Sequence, residues 1–93
     1  MTREELYNRT IENVNQLKKD YITRLNWLIE KTSDMGFFSL TDKFDEKFEP
    51  FNDSKNTWVR DDIKSYYVDM GLTVQFEYNH YLKTYEITIS WEG

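Results

Sequence analysis

The side chains that could do chemistry are few. His80 is the only histidine, and the chain has no cysteine, so thiol nucleophiles, disulfides and zinc–thiolate sites are excluded. A catalytic histidine needs an orienting carboxylate and a nucleophile within hydrogen-bond reach; a lone histidine beside a hairpin tip reads as a surface residue. Asp42, Asp45, Glu46, Glu49 and Asp53 are the candidates for a cation site. Their spacing lacks the Asp-x-Asp-x-Asp-Gly order of a calcium loop, and Lys43 and Lys47 fall between them as on an ordinary solvated face. Asp61 and Asp62 are sequence neighbours, so on a helix they diverge by about 100° and do not share one substrate atom. Gly36, Gly71 and Gly93 are too scattered to cradle a phosphate, and no nucleophile elbow or His-Glu-x-x-His occurs. The expectation is a protein with no catalytic residue, no metal and no cofactor.

What stands out instead is the aromatic content. Three Trp, seven Tyr and six Phe lie in 93 residues. A single domain of this size buries only about 60–65% of its unfolded surface, so large rings must supply much of the core. Net charge is −5 and uneven: residues 1–31 hold six Lys/Arg against five Asp/Glu, residues 32–93 six against twelve. Phosphate neutralisation requires clustered Lys/Arg, so nucleic acid is not the expected partner. A protein with a basic surface fits better, beside the plain role of acid groups in solubility. Neither a secretory signal nor a long apolar run is present, which predicts a cytoplasmic protein with no membrane partner.

These residues need elements to hold them. Thr2-Arg3-Glu4-Glu5 has capping-box spacing. Leu6, Tyr7, Ile11, Val14, Leu17, Tyr21, Leu25 and Leu28 then recur at helical steps. Ile22 and Ile29 widen the stripe to roughly 160°, more than the ~100° one core face needs. Gly36 ends this helix, with Thr32 and Ser33 as a frayed last turn. Phe37-Phe38-Ser39-Leu40-Thr41 reads as a short strand; the rival is a helical turn through Leu40, Phe44 and Phe48. Asp42 to Ser54 reads as an acidic loop broken by Pro50, pinned to the core by Phe44, Phe48 and Phe51. A second helix spans Thr57 to Met70, its apolar face made of Val59, Ile63, Tyr66, Tyr67 and Met70, with Gly71 at its end. Leu72, Val74, Phe76 and Tyr78, then Tyr85, Ile87, Ile89 and Trp91, alternate with polar residues as the two strands of a hairpin. The predicted fold is α+β: one small domain in the order α-β-α-β-β, with two helices on one face of a small antiparallel sheet. It divides into a long helix and cap (1–36), strand and acidic Phe-rich loop (37–56), second helix (57–70) and C-terminal hairpin (71–93).

Trp27 falls about 80° outside the first helix's stripe. Trp58 also lies off its stripe, and His80 and Tyr81 sit at the hairpin tip. Either the Phe-rich loop covers Trp27 and Trp58 closes its helix, or these rings are anchors for a partner, as Trp and Tyr are in binding hot spots. The candidate protein-binding residues are therefore Trp27, Ile22, Ile29, Asp45, Glu46, Glu49, His80 and Tyr81, with Ile22 and Ile29 as the edge of a possible homodimer.

The C-terminal part resembles a pattern found in short accessory proteins of tailed bacteriophages. The matching residues are Ile63 to Met70, then Gly71-Leu72-Thr73-Val74, then Tyr85-Glu86-Ile87-Thr88-Ile89-Ser90-Trp91. The resemblance covers less than half the chain and brings no functional residue with it. It implies a viral accessory protein acting in a bacterial host. Three functions follow for testing: a protein-binding module that modulates or inhibits a host protein, a structural homo-oligomer built through the first helix, and a nucleic-acid module stacking bases on sheet aromatics. The last needs exposed rings flanked by Lys/Arg on one sheet face, whereas the polar hairpin face offers Gln75, Glu77, Glu86 and Thr88.

Overall fold

A computed structural model describes residues 1–92. Helix α1 runs Arg3–Asp34. At 1.5 Å per residue it spans nearly the whole 51 Å long axis of the molecule. Thr2 caps it, its hydroxyl accepting from the Glu5 amide at 3.1 Å. Thr32 and Ser33 do not fray. The Phe37 amide donates to the Thr32 carbonyl and the Gly36 amide to the Ser33 carbonyl, the paired closing bonds of a Schellman motif, with Gly36 at φ +92°. The same pairing, Leu72 to Tyr67 and Gly71 to Val68, closes the second helix, α2, which spans Thr57–Val68.

Strands β1 (Ser39–Lys43), β2 (Thr73–Asn79) and β3 (Thr84–Ser90) form one antiparallel sheet in the order β1-β3-β2. The expected α+β architecture with a C-terminal hairpin is the one found. In register, Leu40, Ile89 and Val74 make one row across the sheet, and Asp42, Ile87 and Phe76 the next. These rows face the helices; Ile87 and Ile89 are fully buried, each worth about 1.5–3 kcal/mol. The other face is polar: Ser39-Ser90-Thr73, Thr41-Thr88-Gln75 and Lys43-Glu86-Glu77, with the Thr41 and Thr88 hydroxyls 3.0 Å apart.

Several boundaries differ from the sequence reading. The first strand begins at Ser39, and Phe37 and Phe38 stand exposed outside it. Asp42 belongs to this strand and points inward. It accepts from the Tyr21 hydroxyl at 2.9 Å and from Arg24 at 3.2 Å, which makes an acid tolerable on the core side. Residues 42–54 are not a plain loop: a 3₁₀ segment covers Glu46–Asn52 and a shorter one Ser54–Asn56. Phe44, Phe48 and Phe51 are buried as expected. Their rings meet Tyr21 edge-on at 5.1, 4.8 and 5.8 Å. On α2, Val59, Ile63 and Tyr67 are buried, while Tyr66 and Met70 are exposed. The fourth buried position is Arg60. It donates to the Phe51 and Asp53 carbonyls and to the Thr57 hydroxyl, and its guanidinium lies 4.2 Å from the Tyr85 ring centroid. On the hairpin, Tyr78 is exposed and Trp91 half-buried rather than fully enclosed.

The surplus of the α1 stripe lies at its start. Ile22 and Ile29 rest half-buried against the core, whereas Leu6 and Tyr7 are exposed and Val14 is the first buried residue. The opening turns of α1 therefore extend beyond the body of the domain. Trp58 is half-buried against the core with Lys18 over its ring at 5.7 Å, so it does close its helix.

Candidate functional site

The acidic turn and the hairpin tip meet at one end of the molecule, and Asn52 makes the junction. Its side-chain amide donates to the Phe44 carbonyl at 2.9 Å. Its Oδ1 accepts from the Tyr85 backbone amide at 2.8 Å. The buried Thr84 hydroxyl, with one proton to give, lies 2.7 Å from the Phe44 carbonyl and 3.0 Å from Asn52 Oδ1. The end of the 3₁₀ segment is thus tied to the neck of the hairpin by a closed set of hydrogen bonds. Among the described residues no buried side-chain nitrogen or oxygen lacks a partner.

Beyond this junction the chain surrounds an open depression of about 270 Å³ lined by Asp45, Glu46, Glu49, Leu82 and Lys83, among others. Glu46 and Lys83 both take φ +54°, a left-handed conformation uncommon for residues other than glycine. The hairpin turn is held by Asn79, whose Oδ1 accepts from the Tyr81 and Leu82 amides, both at 3.0 Å, while Nδ2 donates to Glu86 at 2.8 Å. Under the turn the rings are stacked edge-on: Tyr85 to Tyr78 at 5.0 Å and Tyr78 to His80 at 5.0 Å. The column starts at buried Arg60 beneath Tyr85 and ends in solvent at His80. Tyr81 stands beyond it, 99% exposed. The aromatic tip is therefore braced from the core, and Tyr81 is presented free.

The depression is not purely acidic, since Lys43 and Lys83 line it beside the three acids. Lys47 turns away to Asp20, at 3.4 Å, and lies over the Phe48 ring. Lys43 stands opposite Glu86 in the sheet. Among the described residues Asp45, Glu46 and Glu49 form no ion pair. No three His, Cys, Asp or Glu side chains among the described residues gather as metal ligands would.

No family model, curated protein or solved structure matches the chain. The site is therefore read from its own geometry. Of the expected binding residues, Asp45, Glu46 and Glu49 share their depression with Leu82 and Lys83 of the hairpin turn, while His80 and Tyr81 line a separate one with Glu77, Tyr78, Asn79 and Glu86. Trp27, Ile22 and Ile29 do not join them. Trp27 is 58% exposed, with Lys31 over its ring at 5.6 Å, so the Phe-rich segment does not cover it. A second apolar area, unexpected from sequence, lies where α1 passes into β1. Met35, Phe37 and Phe38 are exposed there, and the Phe38 carbonyl accepts from the Trp91 amide at 2.9 Å. Sequence reasoning missed Asn52 and Arg60. The signal for Arg60 was its place three residues before Ile63 and seven before Tyr67, on the margin of the apolar stripe; Asn52 gave no local signal. Among the described residues no helix is long and apolar enough to cross a membrane.

The titrating groups with displaced values lie in the core. Burial, and then the negative charge of Asp42, push the Tyr21 hydroxyl far above the ordinary tyrosine range. Burial also raises Tyr67, whose hydroxyl donates to Asn26 at 2.9 Å. Both act as neutral hydrogen-bond donors pinning elements together.

Proposed function

We propose that this chain is a non-catalytic module that binds another protein through the end formed by the acidic turn and the hairpin tip. The observation that carries the reading is the junction itself: three acids without ion pairs share one depression with the base of a braced hairpin from which Tyr81 projects. A basic patch on the partner would meet Asp45, Glu46 and Glu49, giving steering and register. Tyr81 and Leu82 would supply the apolar anchor, a role in which tyrosine is favoured. The phage-like pattern of residues 63–91 supports a bacterial host protein as the partner and modulation of it as the outcome.

Two features weigh against a nucleic-acid module. The open sheet face carries hydroxyls, an amide and two glutamates around a single lysine, and exposed rings are absent from it. Crosslinking capture from bacterial lysate tests the proposal, comparing wild type with Glu46→Lys/Glu49→Lys and with Tyr81→Ser. All these positions are exposed, and circular dichroism verifies that each variant is folded. A protein retained by wild type and lost with both variants supports the reading. Equal capture by all three removes this end from recognition.

A further inference from the structure

The two edges of the sheet are built differently. Among the described residues no strand pairs with the outer side of β1 or of β2. An open edge invites another strand, and proteins blunt such edges with shortness, lysine, proline, bulges or inward-pointing charge. Strand β1 has three of these devices: it is five residues long, ends in Lys43 and turns Asp42 inward. Strand β2 has none of them. It is seven residues long, Thr73-Val74-Gln75-Phe76-Glu77-Tyr78-Asn79, with neither lysine nor proline. Its register with β3 is unbroken from Thr73 to Asn79, so no bulge twists it away. Beside it lies a notch of about 350 Å³ lined by Lys64, Val74, Gln75, Phe76, Glu77 and Thr88.

We infer that β2 pairs antiparallel with β2 of a second copy of this chain, about a two-fold axis through Phe76, to give a continuous six-stranded sheet. The sequence of β2 is complementary to itself in this register. Phe76 meets Phe76 of the copy, Val74 meets Tyr78, Gln75 meets Glu77 and Thr73 meets Asn79. On the helix side every pair is apolar, and Phe76 and Tyr78 both have surface left to cover, being half-buried and 38% exposed respectively. On the open side the Gln75 amide donates to the Glu77 carboxylate, twice by symmetry. Moving the axis to Glu77 opposes two like charges and shortens the pairing, and moving it to Gln75 leaves Tyr78 and Asn79 unpaired. Only the axis at Phe76 uses all seven residues without a like-charge pair. Aromatic and polar cross-strand pairs of this kind are the units that stabilise sheets. A second copy also satisfies the isologous rule that a two-fold interface presents the same patch twice.

Sedimentation velocity on the full chain from about 1 µM to about 1 mM, with wild type, Gln75→Glu and Gln75→Lys, tests this. Gln75 is exposed on the polar face, and circular dichroism verifies that each variant is folded. Gln75→Glu sets two carboxylates against each other at two symmetric places and should weaken association by about tenfold. Gln75→Lys creates two opposite-charge pairs and should strengthen it by a similar factor, an effect reduced by added salt. Opposite shifts in the two variants support the strand pairing. A protein that is monomeric throughout this range, or a dimer indifferent to both substitutions, overturns it.

Discussion

Replacing Asn52 with alanine tests whether the acidic turn and the hairpin form one unit. The substitution removes a donor to the Phe44 carbonyl and an acceptor for the Tyr85 amide and the Thr84 hydroxyl. Phe44 keeps Thr84 as a donor, so its carbonyl is not orphaned. The Tyr85 amide has no such replacement. Two lost hydrogen bonds at about 1 kcal/mol each, plus the partial desolvation cost of the Tyr85 donor, give a destabilisation of about 2–3 kcal/mol. For a domain of this size that corresponds to a fall in Tm of about 10–20 °C. Asn52→Asp separates the two halves of the side chain. It keeps the acceptor for Tyr85 and Thr84 but cannot donate to Phe44, and should cost at least about 1–2 kcal/mol. Urea unfolding followed by tryptophan fluorescence reads both, with the m-value as a check on two-state behaviour. Amide exchange should also quicken at Tyr85 and Phe44 before the rest of the domain. A loss below about 0.5 kcal/mol for Asn52→Ala, with unchanged exchange at those amides, would refute the argument that Asn52 couples the two segments.

Two further outcomes follow from the core. The raised Tyr21 and Tyr67 values mean that the unfolded chain ionises first, so stability holds below about pH 10, the ordinary tyrosine value, and falls as pH rises beyond it toward the folded-state values; urea midpoints at increasing alkaline pH should show this, and Tyr21→Phe should flatten the decline. Deleting residues 88–93 removes fully buried Ile89 and its pairings with Leu40 and Val74, and should abolish cooperative unfolding in a calorimetric scan; a truncated chain that melts cooperatively near the wild-type temperature would contradict the assigned core.

The fold was legible where a period repeats. The Thr2 cap, the α1 stripe from Val14 to Leu25, and the alternation of β2 and β3 each rest on local spacing, which the chain keeps when folded. Legibility failed where a polar residue faces inward through partners distant in sequence. Asp42 reads as loop because a lone acid does not belong on a core face, yet Tyr21 and Arg24 hold it there. Arg60 reads as surface until the carbonyls of Phe51 and Asp53 are placed around it. The 3₁₀ segment Glu46–Asn52 hides behind Pro50 and its charges, and its phenylalanines alone betray it. The candidate site was half visible: its acids and its tip were both evident, but their meeting depends on Asn52, whose partners are 8 and 33 residues away. Trp27 was placed outside the stripe correctly, while its cover could not be read because the segment expected to supply it turns toward Tyr21 instead.

The strand order has a consequence for how the molecule comes into being. Strand β3 lies between β1 and β2 yet is the last of the three in the chain. During translation, β1 and then β2 are made with no partner to receive them, and only the helices can form on local contacts. Leu40 and Val74 wait for the same residue, Ile89. The sheet therefore closes in one late event, when β3 slots between two waiting neighbours, and the nascent chain carries unpaired strands until that moment. Late closure of this kind slows folding and lengthens exposure to aggregation. It makes the arrival of β3, rather than the strength of any single contact, the step at which this sheet is most vulnerable.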